Sequence, residues 1–419
     1  MALNPEQSAA IDSMLAFLAD GAAHFFLLDG PAGTGKTYCV QELVNRVKGR
    51  LIFTAPTNKA TKVLRDTLTK PEYRPECRTI YSLFGLRLEA NGEVKEITVP
   101  EDPVDLTQYK AVIVDEASMV NRNLMKFIRQ TAVDQRIRFI FLGDASQLPP
   151  VGEPYSPVWD EAEDVAKLTT VVRHDNQILA LATAIRKVIG HPAPRIKLDS
   201  NNADGEGVWR LDGRAFEARI MDSVDQGLFS RPNKAKAVSW RNVTVGALNR
   251  RIRDRIFDNP TAPWLPDDRV IVIEPAKDLE GNIIATTDDE GTVLRAEEGW
   301  HPVWAEFKVW RVSLTTDDNR TIVLQVLHEA SKAAFEHKSA EMASAAKVER
   351  RRWKDYWEFR EAFHKLRHGY AITAHRAQGS TYEEVFVDWR DILLNSNKTE
   401  AFKCLYVACT RAKKRLYLN

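Results

Sequence analysis

Cysteine is scarce: Cys39, Cys77, Cys404 and Cys409 are the only four in 419 residues, and no two form a C-x-x-C pair. That excludes a disulfide scaffold for a chain of this length and fits a reducing compartment. Long apolar runs are also missing. Phe25 to Leu28 is far below the ~18 residues of a membrane span, and Met1 to Gln7 has no basic segment leading into an apolar one, so a cytoplasmic protein with no membrane partner is expected. Charge of one sign is lacking too, since 59 Lys+Arg face 58 Asp+Glu, and a net +1 advertises no partner. At 44% hydrophobic and 28% charged, with 20 Gly and 19 Pro, the chain is neither low-complexity nor collagen-like nor disordered, and its length suggests about three domains. A zinc pair is not evident either. His364 and His368 have helical spacing, but Lys365 stands where a zinc-protease motif needs Glu, so the pair reads as a solvated helix face.

What is present is alternation. Up to about residue 166, short β-rich runs (Phe25 to Asp29, Leu51 to Thr54, Ala111 to Asp115, Arg138 to Leu142) alternate with longer amphipathic stretches, the pattern of a parallel sheet with helical crossovers. Between the second and third runs, Asn91-Gly92 separates two alternating segments from Leu86 to Val99. A two-residue type I′ turn there sets Arg87 opposite Glu96 in a protruding β-hairpin. A second α/β region starts near Leu168, with a strand Ala235 to Ser239 and a helix from about Val243 to Phe257. From Pro263 to Leu327 the runs Arg269 to Ile273, Gly291 to Leu294, Val303 to Leu314 and Thr321 to Leu327 predict a small β-barrel, followed by a charged helical stretch from His328 to His368. α/β character resumes at Tyr370, so this module splits the second domain in sequence.

The strongest chemical signal is Gly30-Pro31-Ala32-Gly33-Thr34-Gly35-Lys36-Thr37, a complete G-x-x-x-x-G-K-[ST] after an apolar strand and at the start of a helix. Its glycines let backbone N–H groups curl around phosphates, Lys36 offers charge to the β- and γ-phosphates, and the Thr37 hydroxyl can ligate Mg²⁺. The strand Ala111 to Val114 delivers Asp115, suited to the Mg²⁺ shell, and Glu116, suited to orient and deprotonate a water. The adjacent Glu favours hydrolysis over a nucleotide kinase. A third strand leads into Gly143-Asp144-Ala145-Ser146-Gln147-Leu148-Pro149-Pro150.

These three segments, in this order, resemble the superfamily 1 helicases, specifically the B group of RecD-like and Dda-like enzymes. The resemblance extends to most of the chain. Leu3-Asn4-Pro5-Glu6-Gln7 is similar to the adenine-reading segment, with Gln7 facing the base; Thr54 to Ala60 is similar to motif Ia and Thr79 to Leu83 to motif Ib, with Tyr81 where many relatives have His. Leu168 to Arg173 matches motif IV, Tyr370 to Ser380 motif V and Leu405 to Ala412 motif VI.

The family implies an α/β fold of two RecA-like parallel-sheet domains with a β-hairpin insertion and an inserted small β-barrel plus helical module. On this chain the domains become 1–167 (hairpin 86–100), 168–262 with 369–419, and an insert 263–368 made of an SH3-like barrel 263–327 and a helical segment 328–368. It implies ATP and Mg²⁺ as cofactors, with Gln7, Gly33, Thr34, Gly35, Lys36, Thr37, Gln378 and Gly379 binding nucleotide and Thr37 and Asp115 holding the metal. Lys36, Asp115, Glu116, Gln147, Arg173 and Arg411 become the catalytic set, the two arginines stabilising γ-phosphate charge across the cleft and Gln147 and Gln378 acting as neutral sensors. Pro56, Thr57, Asn58, Ser82, Thr373 and His375 become nucleic-acid contacts, and the hairpin matches the pin that splits duplex.

The implied function is ATP-dependent translocation on single-stranded DNA, 5′→3′, with unwinding of tailed duplex, in the cytoplasm of a bacterial or phage-infected cell. A monomer is expected, with replication or recombination proteins as further partners. The alternative is a non-translocating, ATP-controlled nucleic-acid clamp or assembly factor. Basic residues cluster at Arg250 to Arg255, Arg350 to Lys354 and Lys403 to Arg415, either as a phosphate-tracking surface or as solvated faces. The stretch around Trp353 can contact DNA, brace the barrel or bind a protein.

Overall fold

Two mainly parallel sheets and one antiparallel sheet organise the chain, whose computed structural model describes residues 3–68, 75–91, 94–98, 104–171 and 177–419. The first sheet has six strands in the order Glu76–Thr79, Arg50–Ala55, Tyr109–Val114, Arg138–Gly143, Phe25–Asp29, Asp164–Lys167. Every neighbouring pair is parallel. Its inner strands read as unbroken apolar runs because both faces are covered. Phe26 and Leu28 pack against the helices Pro5–Ala19 and Lys36–Arg46, while Phe25 and Leu27 pack on the other side with Leu124 and Ile128 of the helix Arg122–Gln135. The two edge strands are short and polar and lack that signature.

The second sheet runs Ala371–Thr373, Ala235–Ser239, Tyr382–Val387, Ala412–Leu418, Glu206–Arg210, Asn201–Ala203. It is parallel except for its last pairing. Ala235–Ser239 lies between two strands that come more than a hundred residues later, so the chain leaves this sheet after the helix Asn242–Phe257 and returns at Ala371.

The excursion builds a five-stranded antiparallel sheet, Thr321–Leu327, Lys308–Thr316, Glu290–Trp300, Arg269–Val272, Leu366–His368. A bridge from Val326 to His364 joins its two edges around Val270, Val312, Leu314 and Leu324, as a small barrel requires. Here the expected helical stretch ends early. The helices Lys332–Val348 and Trp353–Glu361 are followed by the strand Leu366–His368, so His364 and His368 are on no solvated helix face. Both are buried deeply enough to lower their basicity, and their Nε2 atoms lie 3.0 Å from the Lys277 carbonyl and 3.1 Å from the Pro263 carbonyl.

The hairpin is present, with Arg87–Asn91 antiparallel to Val94–Thr98. Its register differs from the expectation: Asn91 pairs with Val94 and Arg87 with Thr98, because Asn91 supplies a rung of the ladder and not a turn position. The helix Trp353–Glu361 lies beside the strand Arg87–Asn91. No helix among the described residues is long and apolar enough to cross a membrane.

Candidate nucleotide and nucleic-acid site

The phosphate loop leaves the strand Phe25–Asp29 and enters the helix Lys36–Arg46. Gly33 and Gly35 have φ of 85° and 86°, a left-handed conformation that a Cβ penalises and that turns successive N–H groups to one side. Gly35 is the N-cap and brings no side chain, so the first N–H groups of the helix are left for an anion. The Lys36 ammonium donates to the carbonyls of Gly30 (2.5 Å) and Pro31 (3.3 Å), and the Thr34 hydroxyl to that of Pro31 (2.9 Å). Gln7 is set by its own helix start: Asn4 caps, Pro5 follows, and the Gln7 side chain completes a capping box by accepting from the Asn4 N–H (3.1 Å). Its amide then donates to the Thr34 carbonyl (3.0 Å), tying this segment to the loop.

The strand Tyr109–Val114 ends in the two acids. The Asp115 N–H donates to the Thr54 carbonyl (2.8 Å), and the chain then turns through Glu116 at φ 52°. Holding a non-glycine residue there costs about 1 kcal/mol, and it aims consecutive side chains into one half-buried site. Burial pushes the Asp115 carboxyl up. Burial first, then the Asp115 charge, push Glu116 up to about 7, with Asp144 adding and Arg411 and Lys36 opposing. A carboxylate titrating near neutrality is what a general base needs.

The second sheet supplies the rest of the site. Leu148, in the loop after the strand Arg138–Gly143, buries itself in the second domain's core beside Ile178 and Tyr382. Across this joint, the Gln378 amide donates to Gln147 Oε1 (3.2 Å) and to the Ser118 hydroxyl (3.1 Å), so the two expected sensors meet. Gly379, at φ 73°, lies where a Cβ would be 3.3 Å from the Ala60 Cβ, which brings motifs Ia and V together. Arg411 is buried and fixed by the carbonyls of Val407 (3.0 Å) and Ser380 (3.1 Å) and by the Thr410 hydroxyl (2.9 Å), and its charge reaches Glu116. Arg173 lies outside the described residues.

The chain matches an AAA domain family over residues 2–202 and the UvrD-like helicase C-terminal domain over residues 368–419. It is 26% identical to the ATP-dependent DNA helicase Dda of Enterobacteria phage T4, with 93% of each chain covered. It is 23% identical to an uncharacterised protein of Acanthamoeba polyphaga mimivirus, with 99% of each covered. Its fold is that of Pif1 helicase from Bacteroides, solved with ADP-AlF3 and ssDNA, at a TM-score of 0.53 and 16% identity over 100% of this chain and 92% of that one. The chain is a superfamily 1 helicase of the B group.

Two residues of this helicase's site escaped the sequence reading. Glu6 accepts from the N–H groups of Thr169 (2.8 Å) and Thr170 (2.9 Å) and from the Thr169 hydroxyl (2.5 Å), fastening the start of motif IV to the first helix; these bonds hold its carboxyl down at about 2. Tyr406 reaches from the helix Lys398–Thr410 to Asp144 and to Ala32 of the phosphate loop.

The expected nucleic-acid contacts of the helicase fall at the two sheets' ends. Thr57 accepts from the Ala60 N–H (3.2 Å) at the start of the helix Asn58–Leu68, next to Pro56, while Asn58 donates to the Thr286 hydroxyl of the inserted barrel. Thr79 accepts from the Ser82 N–H (3.1 Å). Thr373 caps the helix Ala374–Ala377. His375 lies 3.6 Å from the Glu400 carboxylate, and His375, Glu400 and Cys404 place ligand-type atoms within 4.8 Å of one another. Burial lowers the His375 imidazole and pushes the Cys404 thiol up to about 12, which opposes a thiolate ligand there.

The basic clusters are largely spoken for within the fold. Arg251 pairs with Glu217 (3.0 Å), Arg255 with Asp225 (2.7 Å) and Lys414 with Glu383 (3.5 Å), Arg253 is buried against Asp268 (2.8 Å), and Arg352 pairs with Glu349 (2.5 Å). A buried junction joins all three parts of the helicase. Glu290 of the barrel accepts from Lys59 (2.5 Å), Lys236 (2.8 Å), Arg269 (3.4 Å) and the Tyr382 hydroxyl (3.2 Å).

Proposed function

We infer that this helicase hydrolyses ATP to move 5′→3′ on single-stranded DNA and to separate tailed duplex. One observation carries the reading: the phosphate loop and two acids of one sheet and a fixed arginine of the other converge on one cleft, with the Arg411 charge felt at Glu116. On binding ATP, Lys36 exchanges the Gly30 and Pro31 carbonyls for the β- and γ-phosphates, and the N–H groups of Gly33 to Thr37 cradle them.

The Thr37 hydroxyl and the Asp115 carboxylate are hard oxygen donors that suit Mg²⁺. Burial resists the Asp115 charge, so a cation beside it is compatible with the site. Bound there, Mg²⁺ supplies positive charge to the phosphate oxygens. Glu116 takes a proton from the water whose oxygen bonds to the γ-phosphorus, the bond to the β-bridging oxygen breaks, and ADP leaves with that electron pair. Arg411 offsets charge on the transferred group, as does Arg173 by its motif position. The Gln147–Gln378 contact makes the cleft sensitive to its contents, so closure with ATP and reopening after hydrolysis shift the grip of Pro56, Thr57, Asn58, Ser82, Thr373 and His375 along the strand.

Strand displacement with ATP on duplexes carrying a 5′ or a 3′ tail, in DNA and in RNA, tests this. Unwinding of the 5′-tailed DNA is expected. Activity on the 3′ tail alone would reverse the direction, and none on any substrate would leave the clamp reading. Trimming residues 89–95 of the hairpin is expected to abolish strand separation while sparing ATPase stimulation by single strands.

A further inference from the structure

The Tyr406 ring belongs to the second domain's core and is 1% exposed, yet its hydroxyl emerges in the first domain. It donates to Asp144 Oδ2 at 2.6 Å and accepts from the Ala32 N–H at 3.2 Å. Asp144 is itself 3% exposed, and its other oxygen accepts from the Ser146 N–H (2.9 Å). A hydrogen bond to a buried carboxylate is among the stronger ones, and here it joins groups 262 residues apart in sequence.

We propose that the Tyr406 hydroxyl is a positioning group that registers the helix Lys398–Thr410, and with it Arg411, against the phosphate loop. Three features of the fold tie the hydroxyl to the placement of Arg411. Arg411 caps that helix, its N–H donating to the Ala408 carbonyl (3.3 Å), so a shift of the helix moves the guanidinium. Ala32 lies just ahead of the N–H groups of Gly33 to Thr37 that take the phosphates, so the tyrosine and a nucleotide do not compete and the tether persists when ATP is bound. Asp144 is fixed to the phosphate loop's own strand pair, since the Gly30 N–H donates to the Gly143 carbonyl (3.0 Å). The hydroxyl therefore spans the cleft from a rigid core on one side to the loop's foundation on the other. A displaced arginine costs catalysis steeply, because transition-state stabilisation depends on its placement to about an ångström.

The inference rests on the ATPase reading above, and the test separates the two. Tyr406→Phe keeps the ring and removes the hydroxyl. Its single-strand-stimulated kcat is expected to fall roughly tenfold or more while KM for ATP changes by less than about twofold, the signature of an interaction needed in the transition state. Asp144→Ala removes the acceptor, and the Tyr406→Phe/Asp144→Ala double variant is expected to be no slower than Asp144→Ala alone. Unchanged kcat in Tyr406→Phe, a change confined to KM, or losses that multiply in the double variant would overturn the assignment. A wild-type chain without single-strand-stimulated turnover would instead sink the motor reading.

Discussion

The phosphate cleft and the Glu290 junction are both buried, charged and shared between domains, but they satisfy their charges in opposite ways. At the junction one carboxylate meets Lys59, Lys236 and Arg269, and although burial alone would raise it, those cations hold Glu290 well below the usual carboxylate range. At the cleft the cations lean on backbone carbonyls, Lys36 on Gly30 and Arg411 on Val407 and Ser380, and the acids are left under-compensated, with Glu116 raised to about 7. Charges that pair with each other fix geometry. Charges kept apart on neutral partners stay available for phosphate, metal and water.

Substituting glutamine at each acid is the sharpest way to break this contrast. Glu116→Gln is expected to cost roughly 10³-fold or more in ATP turnover while raising the melting temperature. The sign follows from its raised pKa: the ionised form is disfavoured in the folded chain, so folding is penalised increasingly as pH rises from 4.5 through about 7, and Gln removes the penalty. Arg411→Ala is expected to lose about 10³-fold in kcat, and near-normal turnover would strike it from the site.

Glu290→Gln should go the other way in stability. It strands three buried cations, and thermal or denaturant unfolding should show a loss of about 3–5 kcal/mol. Because its folded pKa is depressed, the stabilisation from Glu290 is present above its ordinary value of 4.5 and is lost as pH falls below it. The smallest effect is on the pH profile. The acidic limb of kcat/KM is expected near pH 7, rising with pH as Glu116 ionises, and Asp144→Asn should move it down by a fraction of a unit by removing one nearby charge.

Much of the cleft was legible in the sequence because its parts are local. The phosphate loop needs its glycines, lysine and threonine in one turn, and the strands Phe25–Asp29, Ala235–Ser239 and Thr321–Leu327 match the runs read from the sequence end to end. What escaped is non-local. Tyr406 stands in the sequence only as one residue of motif VI, and only the fold shows its hydroxyl at Asp144. Glu290 is one of three acids in its strand, and its partners come from residues 59, 236 and 269. The edge strands Glu76–Thr79 and Asp164–Lys167 carry no apolar run, since an edge buries less. The arginines near residue 250 resembled a phosphate track because the acids that neutralise three of them, Glu217, Asp225 and Asp268, sit on other segments.

In the proposed motor, nucleotide chemistry in the first domain is completed by the second and driven by DNA. Steady-state ATP hydrolysis with and without single-stranded DNA tests it most directly. The account predicts turnover strongly stimulated by the strand and lost in Lys36→Ala; turnover indifferent to added DNA, or retained in full by Lys36→Ala, would contradict it.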